Sequence, residues 1–212
     1  MLTVHHLGIS QSDRIVWLCE ELGLDYRLVR YERDPVTRLA PPEYRALHPF
    51  GTAPVVTDGE LVLGESGAII EYLTAKHGGR LAVPVSSPDF ANYLFWFHFA
   101  NGSLMPAMMV DILVAVLDAK GENPLVGVFR ARAERAFAMV EQRLGEAAYF
   151  AGAEFTAADI IMLFPLTTMR HFAPRDLTAY PNIRGYLKRI GARPTFQRAM
   201  AKADPGLKVP LE

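Results

Sequence analysis

The first thirty residues carry two kinds of hydrophobic pattern in turn. Leu2 to Leu7 is a short apolar run of the kind found in β-strands. Helical spacing then relates four apolar residues, which are Ile15, Leu18, Cys19 and Leu22. Gly23 is placed to end that helix, and Tyr26 to Tyr31 alternates as a second strand. Strand, helix and strand in so short a stretch predict a right-handed crossover between parallel strands.

A second group of elements follows a proline-rich segment. Glu32 to Phe50 contains four prolines, which favour a loop with at most a short helix near Tyr44. Val55–Thr57 and Leu61–Leu63 are β-rich runs around Asp58-Gly59, which supplies the residue with positive φ that a tight hairpin needs. A helix is predicted next, from Ser66 to Lys76. These elements complete one small α/β domain.

The pattern changes after a linker rich in proline and serine, residues 81–88. The period beyond it is helical, with helices predicted near 89–117, 125–144, 156–172, 181–190 and 196–201. Thr156 and Asp159 have the spacing of a helix-capping box. We therefore predict an α/β domain over 1–80 and an all-α domain over 89–212.

Charge and cysteine content exclude several classes of protein. Lysines and arginines number 22 against 23 acidic residues, so no net positive field attracts nucleic acid or an anionic membrane. Met1 to Ile9 lacks the pattern of a secretory signal, and Met108 to Leu117 is too short to span a bilayer. These features favour a cytoplasmic protein.

Metal and disulfide chemistry are also disfavoured. Cys19 is the single cysteine, so no disulfide or Cys-x-x-Cys pair can form within the chain. His5 and His6 are neighbours on a strand and point to opposite faces, so they cannot share a metal. We predict no metal site.

Two features beside the hairpin indicate a binding edge. Pro54 stands just before the first hairpin strand, where a cis peptide bond would turn the peptide groups of Ala53 outward. Ser66 can cap the following helix, whose N-terminus suits a carboxylate. Each feature alone has an ordinary structural explanation, but together they favour a surface that binds a peptide.

Two serines near the start of the first helix are candidates for chemistry. Ser10 and Ser12 both fit ordinary helix capping, and Ser12 is the better placed of the two. Arg14 is expected on a solvated face of the first turn, although its charge could favour an anion nearby. The residues alone leave capping and catalysis both open.

Several motifs in order resemble the cytosolic glutathione S-transferase family, of the serine- or cysteine-type class found in bacteria and fungi. They are residues 2–7 with Ser10 to Arg14, the Trp17 to Leu24 run, the Gly51 to Ser66 stretch with Ala68-Ile69, and Thr156 to Asp159. The resemblance covers nearly the whole chain. It implies a thioredoxin-like first domain that binds glutathione, an all-α second domain that binds an electrophile, a detoxifying enzyme and a homodimer.

The resemblance also implies roles for single residues. Ala53, before Pro54, would pair its backbone with the cysteinyl part of glutathione, and Glu65 with Ser66 would hold the γ-glutamyl end. Relatives often carry lysine or glutamine at Thr52 and an acidic residue at Asn101. These two differences imply weaker glutathione binding, with His48 or Arg38 as other sources of charge.

The catalytic position that the resemblance implies is Ser10, with Ser12 as the alternative. The hydroxyl would donate a hydrogen bond to the glutathione sulfur, and such a bond to an anion contributes about 1.5–3 kcal/mol. The electrophile pocket would include Ile9, Phe99, Met105 and Met109, although side chains at such spacing also suit a core or an interface.

Three other functions compete with transfer to a hydrophobic electrophile. One is a glutathione-dependent peroxidase, and another is a non-catalytic binding or assembly module on the same fold. The third is a thiol-disulfide oxidoreductase that uses Cys19. This is the weakest, because Cys19 lies on the apolar stripe of its helix.

Overall fold

The computed structural model describes residues 1–117 and 123–212, which form two compact units. Unit 1 contains Met1–Ala82 together with Ile190–Pro210, and unit 2 contains Val83–Arg189 with Leu211–Glu212. Unit 1 is thus built from two segments far apart in the sequence. The predicted division at residues 81–88 differs in this respect, because it places 190–210 in the helical domain.

A four-stranded sheet forms the centre of unit 1, with strands β1 (Leu2–Leu7), β2 (Arg27–Tyr31), β3 (Val55–Asp58) and β4 (Leu61–Gly64). The order is β2-β1-β3-β4. β1 runs parallel to β2, as the crossover pattern predicts, and antiparallel to β3. The β3–β4 hairpin pairs Asp58 with Leu61, and Gly59 in its turn has a φ of 63°. The α/β fold predicted for this part of the chain is confirmed.

The helices in chain order are α1 (Asp13–Leu22), α2 (Pro42–Arg45), α3 (Ser66–Lys76), α4 (Phe90–Phe99), α5 (Met105–Leu117), α6 (Pro124–Glu146), α7 (Ala157–Leu166), α8 (Pro181–Gly191) and α9 (Pro194–Ala203). A π-helical turn, Ala100–Leu104, joins α4 to α5. A 3₁₀ turn, Thr168–His171, follows α7. Unit 2 is all α, as predicted, but two of its long predicted helices are each divided by one of these turns.

Helix α9 belongs to unit 1 because its side chains pack on α1. The Trp17 and Phe196 rings lie 5.2 Å apart, edge to face. Arg193 donates two hydrogen bonds of 2.9 Å to the Glu21 carboxylate. An apolar contact and a bidentate ion pair therefore attach the C-terminal segment to the first helix. Helical periodicity cannot reveal which domain a helix packs against.

The helical stretch Phe90–Val114 is long and apolar enough to cross a membrane by length and composition alone, and 28% of it is buried. The shorter run considered in the sequence, Met108–Leu117, overlaps this stretch but is not long enough by itself. Core helices of globular proteins have the same length and composition. The stretch also carries exposed apolar side chains, among them Leu94, Phe95, Met109 and Leu113.

The start of α7 has the capping box that the sequence predicts. Thr156 is the N-cap residue, and its Oγ1 accepts a 3.3 Å hydrogen bond from the Ala158 N–H. Asp159 accepts from the Thr156 N–H at 2.8 Å and from the Phe150 N–H at 3.1 Å. Tyr186 donates to the same carboxylate at 3.3 Å. Burial raises the pKa of Asp159 to about 6, although all of these hydrogen bonds oppose the rise.

Candidate functional site

The loop between β1 and α1 turns the Ser12 hydroxyl away from its own helix. Ser12 occupies the N-cap position of α1, but its Oγ accepts a 3.1 Å hydrogen bond from the Leu7 N–H of the preceding strand. The first N–H groups of α1 bond instead to backbone carbonyl oxygens, for example Asp13 to Ser10 at 3.2 Å. The expectation that Ser12 caps the helix with its side chain is therefore wrong.

A chain of four polar side chains begins at Ser10. The Ser10 and Ser12 Oγ atoms are 2.7 Å apart, and Ser12 Oγ is 2.8 Å from His6 Nδ1. His6 Nε2 lies 3.2 Å from the carboxylate of Asp204, which comes directly after α9. His6 and Ser12 are fully buried, whereas Ser10 retains 5% of its surface. Of the two serines, Ser10 is therefore the one that keeps exposed surface.

The carboxylate of Asp204 is held ionised by several donors. Burial by itself would raise the pKa of Asp204, but the hydrogen bond and charge of His6, with the Ile9 N–H and Arg30, hold it below its ordinary value. The Ile9 N–H lies 3.2 Å from Oδ1, and Arg30 lies 3.5 Å from the same oxygen. The far end of the chain from Ser10 therefore carries a fixed negative charge.

Arg14 links the first turns of α1 and α3. Its Nη1 donates to Gln11 Oε1 at 2.8 Å and to Ser66 Oγ at 3.2 Å. The side chain is fully buried, and burial lowers its pKa to about 9, with Asp13 opposing the change. The expectation of a solvated Arg14 is wrong. The guanidinium instead joins the Ser10–Ser12 loop to the start of α3.

The hairpin has the edge that its sequence predicts. The Ala53–Pro54 peptide bond is cis, and the β3 ladder begins only at Val55. Glu65 is exposed and stands at the N-cap of α3 with a φ of 65°, a conformation uncommon for a residue other than glycine. Ser66 is buried as the first helical residue, so the expectation that it caps α3 is wrong.

The other candidate residues for the tripeptide lie in two places. Thr52 is exposed just before Ala53. The His48 ring packs beside Gly64, where an added Cβ would come within 3.3 Å of it. Both residues therefore belong to the hairpin region of unit 1. Asn101 lies in the π-helical turn of unit 2 and is half-buried.

The four candidates for an electrophile pocket are divided between the units. Ile9 lies in unit 1 with a φ of 50° and is half-buried. In unit 2, Phe99 is buried, Met105 is half-buried and Met109 is exposed. Phe99 also lines a cavity of about 520 Å³ that is bordered by α6. The candidates therefore lie in two different units.

The environment of Cys19 disfavours thiol chemistry at this residue. Cys19 is fully buried, and burial, with Glu20 nearby, raises the pKa of its thiol to about 12. A thiol in this state is a poor nucleophile, which argues against a thiol-disulfide oxidoreductase. Over residues 1–117 and 123–212, no three His, Cys, Asp or Glu side chains are grouped to hold a metal ion.

Sequence reasoning missed His6 and Asp204 as parts of this site. His6 was considered only as a possible metal ligand with His5, whose ring instead contacts Tyr31 Oη at 3.1 Å and Thr57 Oγ1 at 3.3 Å. A histidine on the buried face of a strand beside a serine-rich loop was an available signal. No local sequence pattern indicates Asp204, which is separated from β1 by nearly the whole sequence.

Comparison with known proteins places this architecture in one family. The glutathione S-transferase N-terminal domain matches residues 10–76, and the C-terminal domain of the same family matches residues 104–194. Glutathione S-transferase 3 of Schizosaccharomyces pombe is 32% identical, over 96% of this chain and 88% of that protein. Glutathione S-transferase 1 of Saccharomyces cerevisiae is 30% identical, over 96% and 95%.

Solved structures agree with the sequence relatives. A crystal structure of a glutathione S-transferase from Actinobacillus pleuropneumoniae matches with a TM-score of 0.87 and 34% identity, over 97% of this chain and 95% of that one. A structure from Phanerochaete chrysosporium, determined with oxidized glutathione, shares the fold with a TM-score of 0.74 at 23% identity, over 95% and 94%. By its sequence relatives and by its fold, the chain belongs to the glutathione S-transferase family.

Proposed function

We propose that this glutathione transferase activates its thiol substrate with the Ser10 hydroxyl. The hydroxyl donates a hydrogen bond to the glutathione sulfur and stabilises its thiolate, which attacks a hydrophobic electrophile. One observation carries the assignment to Ser10 rather than Ser12. Of the two serines, whose Oγ atoms are 2.7 Å apart, only Ser10 retains exposed surface, 5% of the residue.

The field around Ser10 supports the same role. The N-terminus of α1 follows directly and carries the positive end of the helix dipole. Arg14 brings a second positive charge between this loop and Ser66. Both favour an anion over a neutral thiol, and they act in the same direction as the Ser10 hydroxyl.

The tripeptide is assigned to the hairpin edge. The backbone of Ala53, before cis-Pro54, pairs with the cysteinyl residue of glutathione, and Glu65 with Ser66 holds the γ-glutamyl end at the start of α3. The position of Ala53, before the first paired residue of β3, Val55, supports the first contact. Thr52 and His48 are assigned to the glycyl carboxylate, and Asn101 to the ligand's amino group.

The wider assignments follow from the family and the surface. Residues 1–80 form the glutathione-binding domain, and the helical domain of residues 89–212 binds the electrophile with Phe99, Met105 and Met109. Ile9 is assigned to the same substrate. A second copy covers the groove lined by Val128, Phe129 and Met139, whose exposed apolar side chains make it suited to a dimer interface. We assign the enzyme to detoxification in the cytoplasm.

Replacing Ser10 tests the proposal. Ser10→Ala should raise the pKa of the bound glutathione thiol by about one to two units and lower kcat/KM by about tenfold to a hundredfold, because the hydrogen bond contributes about 1.5–3 kcal/mol. Ultraviolet absorbance of the thiolate, titrated with pH, measures the first effect. Ser86→Ala, an exposed serine in the linker, serves as the control.

Two results would contradict the proposal at different levels. If calorimetry detects no glutathione binding at millimolar concentration, the assignment of the hairpin edge fails. If glutathione binds but the thiol of Ser10→Ala titrates as in the wild type, the hairpin edge stands and Ser10 is not the activating hydroxyl.

A further inference from the structure

Hydrogen-bond distances link Ser10, Ser12 and His6, and an ion-pair contact without hydrogen-bond geometry links His6 Nε2 to Asp204. The successive distances are 2.7 Å between the two hydroxyls, 2.8 Å to His6 Nδ1 and 3.2 Å from His6 Nε2 to the carboxylate. His6 and Ser12 have no exposed surface, so solvent does not compete for these contacts. Such a chain can pass a proton between its ends without any large movement.

The hydrogens can point along this series of side chains in two directions, and the Leu7 carbonyl oxygen, 2.6 Å from Ser10 Oγ, is a further acceptor for the Ser10 hydrogen. A hydroxyl donates one hydrogen bond, and the negative charge of the carboxylate 3.2 Å from Nε2 favours a hydrogen on that nitrogen. When His6 Nδ1 carries no hydrogen, Ser12 donates to it and Ser10 can donate to Ser12. When Nδ1 carries a hydrogen, Ser12 donates to Ser10, whose own hydrogen then points away from His6. The second arrangement is the one that a thiolate beside Ser10 requires.

We propose that His6 stores the proton that glutathione loses when its thiol is ionised, and that Ser10 and Ser12 carry it there. This inference rests on the proposed role of Ser10. Asp204 and His6 are then positioning residues with a defined task, since neither contacts the sulfur. The proton stays inside the protein instead of leaving to solvent.

The transfer conserves every atom and charge. The S–H bond breaks as a new O–H bond forms on Ser10, the original Ser10 hydrogen moves to Ser12, and the original Ser12 hydrogen moves to His6 Nδ1. A thiol and a neutral imidazole become a thiolate and an imidazolium. The imidazolium is paired with Asp204 at 3.2 Å, and the reversed chain now donates toward the sulfur.

Other charged groups surround the chain on each neighbouring element. On β2, Arg30 contacts Asp204 at 3.5 Å and also pairs with Glu32. Just beyond β2, Arg33 donates to the carbonyl oxygens of Gly8 at 2.9 Å and Ile9 at 3.2 Å. On α1, Asp13 and Arg14 are both buried. The directly contacting partner of His6 among these charges is Asp204, so a proton on His6 is balanced locally.

Proton counting separates this mechanism from simple hydrogen bonding. Glutathione is mixed with the wild-type enzyme near neutral pH in weak buffer, and the protons released are compared with the thiolate formed, which absorbs in the ultraviolet. S-methylglutathione, which has no thiol proton, corrects for protonation changes in the rest of the tripeptide. We expect nearly zero protons released per thiolate. A ratio near one would overturn the proposal.

Substitutions of the two adjacent histidines of β1 provide a test variant, at His6, and its matched control, at His5. His6→Asn keeps a polar atom near the Nδ1 position but cannot take up the proton, so the ratio should rise to about one and the thiolate fraction should fall. His5→Asn changes the histidine that contacts Tyr31 and Thr57 instead, and its ratio should remain near zero. Equal ratios for His6→Asn and the wild type would contradict the storage site.

Asp204→Asn provides a second test that does not depend on how well His6→Asn folds. Its amide oxygen can still accept from the Ile9 N–H, but the charge that pairs with the imidazolium is lost. The thiolate fraction should therefore fall while glutathione still binds. A wild-type thiolate fraction in this variant would overturn the inference. Absence of thiolate in the wild type would instead contradict the proposed function itself.

Discussion

The starts of α1 and α7 use the same kind of residue in opposite ways. Both helices have a hydroxyl side chain at the N-cap, Ser12 in unit 1 and Thr156 in unit 2. Thr156 accepts a hydrogen bond from the N–H of Ala158 in its own helix. Ser12 accepts from Leu7 in the preceding strand and contacts His6. A buried aspartate lies near each helix start, Asp204 near α1 and Asp159 near α7.

The two helix starts differ in what their hydrogen bonds serve, which is the fold at α7 and the proposed site at α1. Around α7, the carboxylate of Asp159 accepts from backbone N–H groups and from Tyr186, so its hydrogen bonds all serve the fold. Around α1, the two hydroxyls contact each other and the backbone of Leu7, and Ser12 also contacts His6. Sites of function are where local capping rules are expected to fail. Substitutions at the two helix starts should therefore affect different properties.

Asp159→Ala should cause the largest loss of stability. It leaves the buried N–H groups of Phe150 and Thr156 and the Tyr186 hydroxyl without their acceptor, so the free energy of unfolding should fall by about 3–5 kcal/mol. Urea unfolding measures this change. The pKa of the bound glutathione thiol should stay at its wild-type value in whatever fraction folds.

A small loss of stability in Asp159→Ala would weaken the comparison. A loss below about 1 kcal/mol would mean that the Asp159 cluster contributes no more than an ordinary cap. A shifted thiol pKa in Asp159→Ala would mean that the two helix starts are not independent.

The two aspartates should give opposite pH dependence of stability. Asp159 has a pKa raised to about 6, so its contribution is complete below its ordinary value of 3.8 and is lost as the pH rises to about 6. Asp204 has a lowered pKa, so its contribution is present above 3.8 and is lost as the pH falls through the lower, folded-state value. Each contributes a slope of up to about 1.4 kcal/mol per pH unit within its window.

Unfolding free energies measured from acid to neutral pH test these signs with one variant for each site. Asp159→Asn should flatten the decline between about pH 4 and 6. Asp204→Asn should flatten the decline on the acid side. Identical pH profiles for the two variants would show that the aspartates do not differ as described.

Thr156→Ala should give the smallest effect. It removes one cap acceptor and a 3.2 Å hydrogen bond to Asp159, so the free energy of unfolding should fall by about 1 kcal/mol with no change in the thiol pKa. Thr156→Ser, which keeps the hydroxyl, should remain within about 0.5 kcal/mol of the wild type. Ser12→Ala should instead lower the thiolate fraction of bound glutathione. A wild-type thiolate fraction in Ser12→Ala would show that the hydroxyls at the two N-caps do not differ in role.

Most of the fold could be predicted because its signals are local. Apolar spacing and Gly23 define α1, and the Asp58-Gly59 turn defines the hairpin. The capping box at Thr156 has a fixed spacing that survives in the structure. The packing of α9 on α1 could not be predicted, because its amphipathic pattern fits either domain.

The site was predictable only where it is also local. The cis bond before Pro54 and the exposed Glu65 follow from the hairpin sequence and its resemblance to the family. The burial of Arg14 depends on a tertiary contact with Ser66, 52 residues away, and the link from His6 to Asp204 spans nearly the whole sequence. A propensity rule has no access to such contacts, so it assigned Ser12 to capping.

The return of the C-terminal segment to β1 has a consequence for how the enzyme is made. The partner of His6 is Asp204, which is synthesised 198 residues later. The growing polypeptide can form its sheet early, but the carboxylate arrives only when translation is nearly finished. The proposed thiol activation is therefore not available to the nascent polypeptide before Asp204 is synthesised. A fragment that ends at Ala82 would lack it.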